Sequence, residues 1–144
     1  MKTIFSNHFK GKIFLSAIAV LTIFLLGSCA KKILFPVSTV IPTATATISI
    51  KKDKNMNYAI TFFVKNIAGP ERLEPAKKCY VVWMETEQNG TVNLGQVNIS
   101  KGLKGSLNAI SPFKPTLFFV TAEDDGNIKF PGSQVVLKTD AVNL

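Results

Sequence analysis

Past residue 28 the chain reads as an all-β domain, and three observations carry that reading. Short apolar runs with alternating or near-continuous patterning recur from Thr43 to Thr139. Turn-forming residues separate them at regular intervals, and no stretch spaces its apolar residues at the helical period. Seven such runs predict an antiparallel two-sheet sandwich over residues 43–144, following an N-terminal signal helix.

Thr43 to Lys51 sets Ala44, Ala46, Ile48 and Ile50 against threonines and Ser49, a period-two strand. Asp53, Asn55 and Asn57 suit the hairpin turn that follows. From Asn57 to Asn66, Tyr58, Ile60, Phe62 and Val64 face one way and Ala59, Thr61, Phe63 and Lys65 the other, so one face is core. Ile67 to Lys78 holds Gly69-Pro70, Pro75 and several charges and reads as a long loop, the first place to look for a partner surface.

Cys79 to Thr86 is apolar almost throughout, as a central strand buried on both faces would be; Tyr80, Trp83 and, from the preceding strand, Phe62 are its expected core residues. Asn89-Gly90 supplies positive φ for a tight hairpin into Thr91–Ile99, where Gly95 marks a bulge or a close approach. Ser106–Ile110 is a short alternating strand. Thr116–Ala122 is a second run apolar on both faces, so these two runs mark sheet centres. Ile128–Phe130 can pair briefly, and Gln134–Thr139 closes the series. Trp83 on the third strand suits an immunoglobulin-like arrangement, without the paired cysteines of antibody domains.

The N-terminus carries a different message. Lys2, Lys10 and Lys12 precede an apolar run from Ile13 to Leu26, and small residues follow: an export signal. Fourteen residues reach roughly 21 Å as a helix, short of the roughly 30 Å of bilayer hydrocarbon, which argues against an uncleaved span. The closing quartet Leu26-Gly27-Ser28-Cys29 resembles the lipobox of bacterial lipoproteins. That resemblance implies cleavage between Ser28 and Cys29, diacylation of the Cys29 sulfur and acylation of its new amino group. Two or three chains hold a protein on a membrane far more firmly than the marginal grip of one. Lipoprotein sorting rules add that Ala30, Lys31 and Lys32, with no Asp after the cysteine, imply the outer membrane and a periplasm-facing domain. Residues 29–42, with Pro36 and Pro42, read as a lipidated tether or extended lead-in that partly packs.

Removing residues 1–28 leaves 116 residues with fourteen Lys and Arg against nine Asp and Glu, a formal charge near +5. One small domain of this size buries a core without disulfides. Lys51, Lys52 and Lys54 would be drawn to anionic lipid headgroups, or are solvated turn lysines. Export and the lack of a basic-aromatic motif exclude a nucleic-acid partner. Cys79 has no intrachain partner once Cys29 is lipidated and reads as a buried thiol, with an intermolecular disulfide as the alternative.

Tyr80-Val81-Val82-Trp83, Gly90 and Gly95, then Val120-Thr121-Ala122-Glu123 with Gly126, Pro131-Gly132 and Val135-Val136-Leu137 resemble the extracytoplasmic domain of anti-sigma-K factor proteins over about half the chain, Lys78 to Thr139. The resemblance implies a sandwich fold and a sensor or regulatory module. With only twelve residues before the apolar run, no cytoplasmic segment is expected to hold a sigma factor, so that activity does not carry over. The whole layout is also similar to small uncharacterised lipoproteins of Bacteroidetes-type bacteria.

The only histidine, His8, lies in the signal, so the mature chain lacks the usual neutral-pH general base and the common transition-metal ligand. Ser-His-Asp, Cys-His and zinc schemes are excluded, and no glycine-rich phosphate loop precedes a helix. Among Glu85, Glu87, Glu123, Asp124 and Asp125, only Glu85 with Glu123 could form a glycosidase-like pair. Glu123-Asp124-Asp125-Gly126-Asn127 could gather oxygens for calcium but lacks the spacing of a calcium loop and is good turn chemistry. The expectation is a membrane-anchored, noncatalytic module without cofactor or metal, whose partner is the membrane and an envelope protein or glycan.

Overall fold

A computed structural model describes residues 30–100 and 103–144. The signal helix expected before residue 29, and with it Leu26, Gly27, Ser28 and Cys29, lie outside the described residues. Those described form an all-β domain of two antiparallel sheets, with nine strands where the sequence shows seven runs. The strands are β1 (Lys31–Leu34), β2 (Thr45–Lys52), β3 (Tyr58–Lys65), β4 (Cys79–Thr86), β5 (Gly90–Gln96), β6 (Asn98–Ser100), β7 (Lys104–Ser111), β8 (Pro115–Glu123) and β9 (Val135–Lys138). One sheet runs β1-β2-β3-β7-β6 and the other β5-β4-β8-β9.

The two extra strands have local causes. Within the expected tether, Lys31–Leu34 pairs with β2, Lys31 opposite Ile50 and Leu34 opposite Thr47, so the fold begins well before Thr43. The segment after it closes one side of the sandwich. Phe35 and Ile41 are buried, and the Phe35 ring meets Phe62 edge-on at 5.6 Å. The Ser38 hydroxyl donates to the Val136 carbonyl on β9 and accepts from the Ile41 N–H at 2.9 Å, tying this crossing to the far sheet.

The expected strand Thr91–Ile99 is split because the chain changes sheets within it. Gly95, at φ +125, sits where the β4–β5 register slips between Val82 and Trp83, the bulge its position foretold. Val97 then points inward, donates its N–H to the Tyr80 carbonyl at 2.9 Å, and releases Asn98–Ser100 to pair with β7. The crossing is tight: a Cβ on Gly105 would lie 2.6 Å from Val97 and 2.9 Å from Val64. Ile128–Phe130 forms no strand.

Between the sheets, Ile48, Ile50, Ile60, Phe62 and Val64 pack against Tyr80, Val82, Met84, Phe118, Val120 and Leu137. Each large apolar side chain fully buried there contributes roughly 1.5–3 kcal/mol. The two runs apolar on both faces, β4 and β8, are neighbours at the centre of one sheet.

Candidate functional site

Alternation along β4 decides where its apolar residues go. Tyr80, Val82 and Met84 enter the shared core, so Cys79, Val81 and Trp83 point out of the sandwich. Trp83 is nonetheless fully buried, in a second small core beneath the segment that joins β8 to β9. Its ring stacks on Phe119 at 6.2 Å and its indole N–H donates to the Thr121 hydroxyl at 2.8 Å. The tryptophan therefore does not occupy the place between the sheets that an immunoglobulin-like reading gives it.

The acidic stretch builds the roof over this cluster. Asn93 Nδ2 donates to the carbonyls of Gly126 and Ile128 at 3.0 and 2.9 Å, holding the Ile128 side chain down on the cluster. The buried Glu123 carboxylate accepts the Gly132 N–H at 2.7 Å, Asp124 pairs with Lys77 at 2.7 Å, and Asp125 accepts the Asn127 N–H at 2.9 Å. Each carboxylate is engaged separately, as turn chemistry requires. Among the described residues no group of three His, Cys, Asp or Glu gathers around a common point.

The register also separates Glu85 from Glu123. Glu123 lies opposite Cys79 and Glu85 opposite Leu117, six residues further along β4. At roughly 3.3 Å per residue that is about 20 Å, too far for two carboxylates to flank one glycosidic bond. The pairing considered from sequence is not assembled.

Cys79 is buried under the roof, its thiol 3.5 Å from the Glu123 carbonyl. Burial, then the charges of Glu123, Asp125 and Asp124, push the thiol pKa up, which suppresses the reactive thiolate. The Tyr80 hydroxyl, pushed up to about 12 by burial and then by Glu71, donates to the Ala68 carbonyl at 2.9 Å and pins the start of the loop after β3. That loop packs through Ile67 and Pro70 and leaves an open cavity of about 400 Å³ beside Glu71, Arg72 and Tyr80. Phe62, Tyr80 and Trp83 are all fully buried.

A second cavity, about 540 Å³, opens at the opposite end, lined by Lys31, Ile50, Lys52, Tyr58, Lys114 and Leu144. Lys52 Nζ lies 5.4 Å from the Tyr58 ring centre. Sequence reading groups Lys51, Lys52 and Lys54 but misses Lys31 and Lys114, which only strand pairing brings alongside.

No helix among the described residues is long and apolar enough to cross a membrane. No family model matches the chain, and neither curated proteins nor solved structures compared with it give a match.

Proposed function

We propose that this chain is an envelope lipoprotein, anchored through Cys29 in the outer membrane and facing the periplasm, whose sandwich is a noncatalytic binding or structural module for an envelope protein or glycan. The observation that carries the proposal is the quartet Leu26-Gly27-Ser28-Cys29 closing a short apolar run. The separation of Glu85 from Glu123 and the burial of the Cys79 thiol support the noncatalytic part. An immunoglobulin-like topology belongs to the same reading: β2-β3-β7-β6 and β4-β8-β9 follow the ABED and CFG order, with β5 as an added strand beside C. Growing cells with an alkyne fatty acid tests the anchor. Wild type takes up the label and Cys29→Ser does not; equal labelling of both refutes it.

A second reading is a sensor or regulatory module acting through a membrane partner. What favours it is that Lys78–Thr139, the part resembling anti-sigma-K extracytoplasmic domains, contains every strand of the β5-β4-β8-β9 sheet and its roof. Crosslinking in intact envelopes separates the two. A single recurrent integral membrane protein supports the sensor, and a soluble envelope protein or glycan supports the module.

A further inference from the structure

The end of the sandwich where the described chain begins brings together parts that are scattered in sequence. Lys31 opens β1 at this end, opposite Ile50. Beside it stand the β2–β3 turn with Lys54 and Met56, the β4–β5 turn with Glu87, and the β7–β8 turn with Phe113 and Lys114. Lys31, Lys32, Lys51, Lys52, Lys54 and Lys114 face four side-chain carboxylates there, Asp53, Glu85, Glu87 and Asp140, and the Lys31 ammonium also donates to the Asn143 carbonyl. Asp53 is taken up by the backbone amides of Asn55 and Asn57, and Glu87 lies 3.5 Å from Lys114. Among these lysines Met56 is 64 % exposed and Phe113 37 % exposed. The far end is mixed instead, with Glu71, Glu74, Glu123, Asp124 and Asp125 interspersed among its basic residues.

Distance makes this arrangement consequential. Strand pairing starts at Lys31, two residues after Cys29. Two residues span at most about 7 Å, less than the roughly 8–10 Å screening length of physiological salt. A domain anchored at Cys29 thus cannot stand clear of the headgroups.

We propose that this end docks on an anionic phospholipid surface, with Lys31, Lys52 and Lys114 receiving lipid phosphates at the cavity over Tyr58 while Met56 and Phe113 enter the interface. Proximity to the membrane rests on the lipid-anchor reading; the docking chemistry is the further step. Each lysine near such a surface is worth about 1 kcal/mol, so Lys52→Gln and Lys114→Gln each shift the docked population about fivefold.

The full chain, expressed with lipidation and reconstituted in vesicles, carries an environment-sensitive dye at Met56→Cys, Phe113→Cys or, as a far-end control, Asn127→Cys. With phosphatidylglycerol in the phosphatidylcholine vesicles, the dyes at 56 and 113 are shielded from aqueous iodide and the dye at 127 is not. Shielding weakens in pure phosphatidylcholine and in the two lysine variants. Vesicle-bound protein with equal quenching at all three positions overturns docking while leaving the anchor intact. Should fatty-acid labelling fail, the anchor reading falls; shielding at 56 and 113 on added phosphatidylglycerol vesicles would still support docking, and its absence would overturn both.

Discussion

The two sheets share one interior, yet their outward faces are built from opposite materials. On the β5-β4-β8-β9 sheet the outward side of β4 and β8 is Val81, Trp83 and Phe119 under a loop; on the other it is mainly Thr45, Thr47, Ser49, Thr61, Ser106 and Asn108, exposed or half-buried, with Leu34 and Ile110 exposed among them. The open face holds itself together by cross-strand polar contact, as where the Thr61 hydroxyl meets Asn108 Oδ1 at 2.9 Å. Its larger apolar residue, Phe63, is only half-buried and lies under Lys65. The difference teaches that an apolar residue pointing out of the sandwich can still be core: the segment joining β8 to β9 covers β4 and β8 and makes a second one there.

Truncation should expose that contrast most strongly. Trp83→Ala removes a fully buried ring and is expected to cost about 3–5 kcal/mol, whereas Phe63→Ala on the open face costs about 1 kcal/mol or less. Comparable melting shifts for the two would erase the distinction between the faces.

The shared interior provides the next test through Tyr80. Its hydroxyl is raised to about 12 from an ordinary value near 10, so the folded state holds the proton more tightly than the unfolded chain. That contribution is complete below about pH 10 and is lost as pH rises towards 12, roughly 2–3 kcal/mol in all. Chemical denaturation of wild type and Tyr80→Phe should show a deficit of about 1 kcal/mol for the variant near neutral pH, from the lost bond to Ala68. The deficit should vanish or reverse at high pH; a constant gap would place the hydroxyl in water.

Loosening the roof is a smaller perturbation with a specific reporter. Asn93→Ala deprives the Gly126 and Ile128 carbonyls of their donor, at about 1 kcal/mol, and alkylation of Cys79 beneath should speed up about fivefold. An unchanged rate would mean that the roof is held by other contacts. The least effect belongs to the exposed β2–β3 turn. The Asn57 backbone amide foremost, together with Asn55 and the Asn57 side chain, holds the Asp53 carboxyl below its usual value. Its contribution is present above the ordinary carboxylate pKa and disappears as pH falls through the lowered one. Asp53→Asn should therefore differ slightly from wild type at pH 7 and not at all in strong acid.

How legible these regions are in sequence follows the same division. Alternation placed β2, β3 and β7 because one face of each is polar, and continuous apolarity placed β4 and β8 because both faces are covered. That continuity hides which way Trp83 points, since a one-residue shift exchanges two equally apolar faces. β1 escapes notice because Lys31-Lys32-Ile33-Leu34 is short and leads into prolines, and its pairing depends on β2 rather than on its own pattern. The sheet change at Val97 leaves no trace because Thr91–Ile99 stays strand-like throughout. Glu123–Asn127 is plainly a turn, but what it covers is settled by Asn93, some thirty residues earlier. The basic end is half legible: the run Lys51–Lys54 is visible, whereas Lys31 and Lys114 join it only in three dimensions.

Everything proposed for the role of the domain converges on Cys29, and the mass of its tryptic peptide tests this most directly. In protein extracted from membranes, Cys29-Ala30-Lys31 should begin the chain and carry a diacylglyceryl group on sulfur, with or without an amide-linked acyl chain. An unmodified peptide running from Ile13 to Lys31 would contradict the anchor.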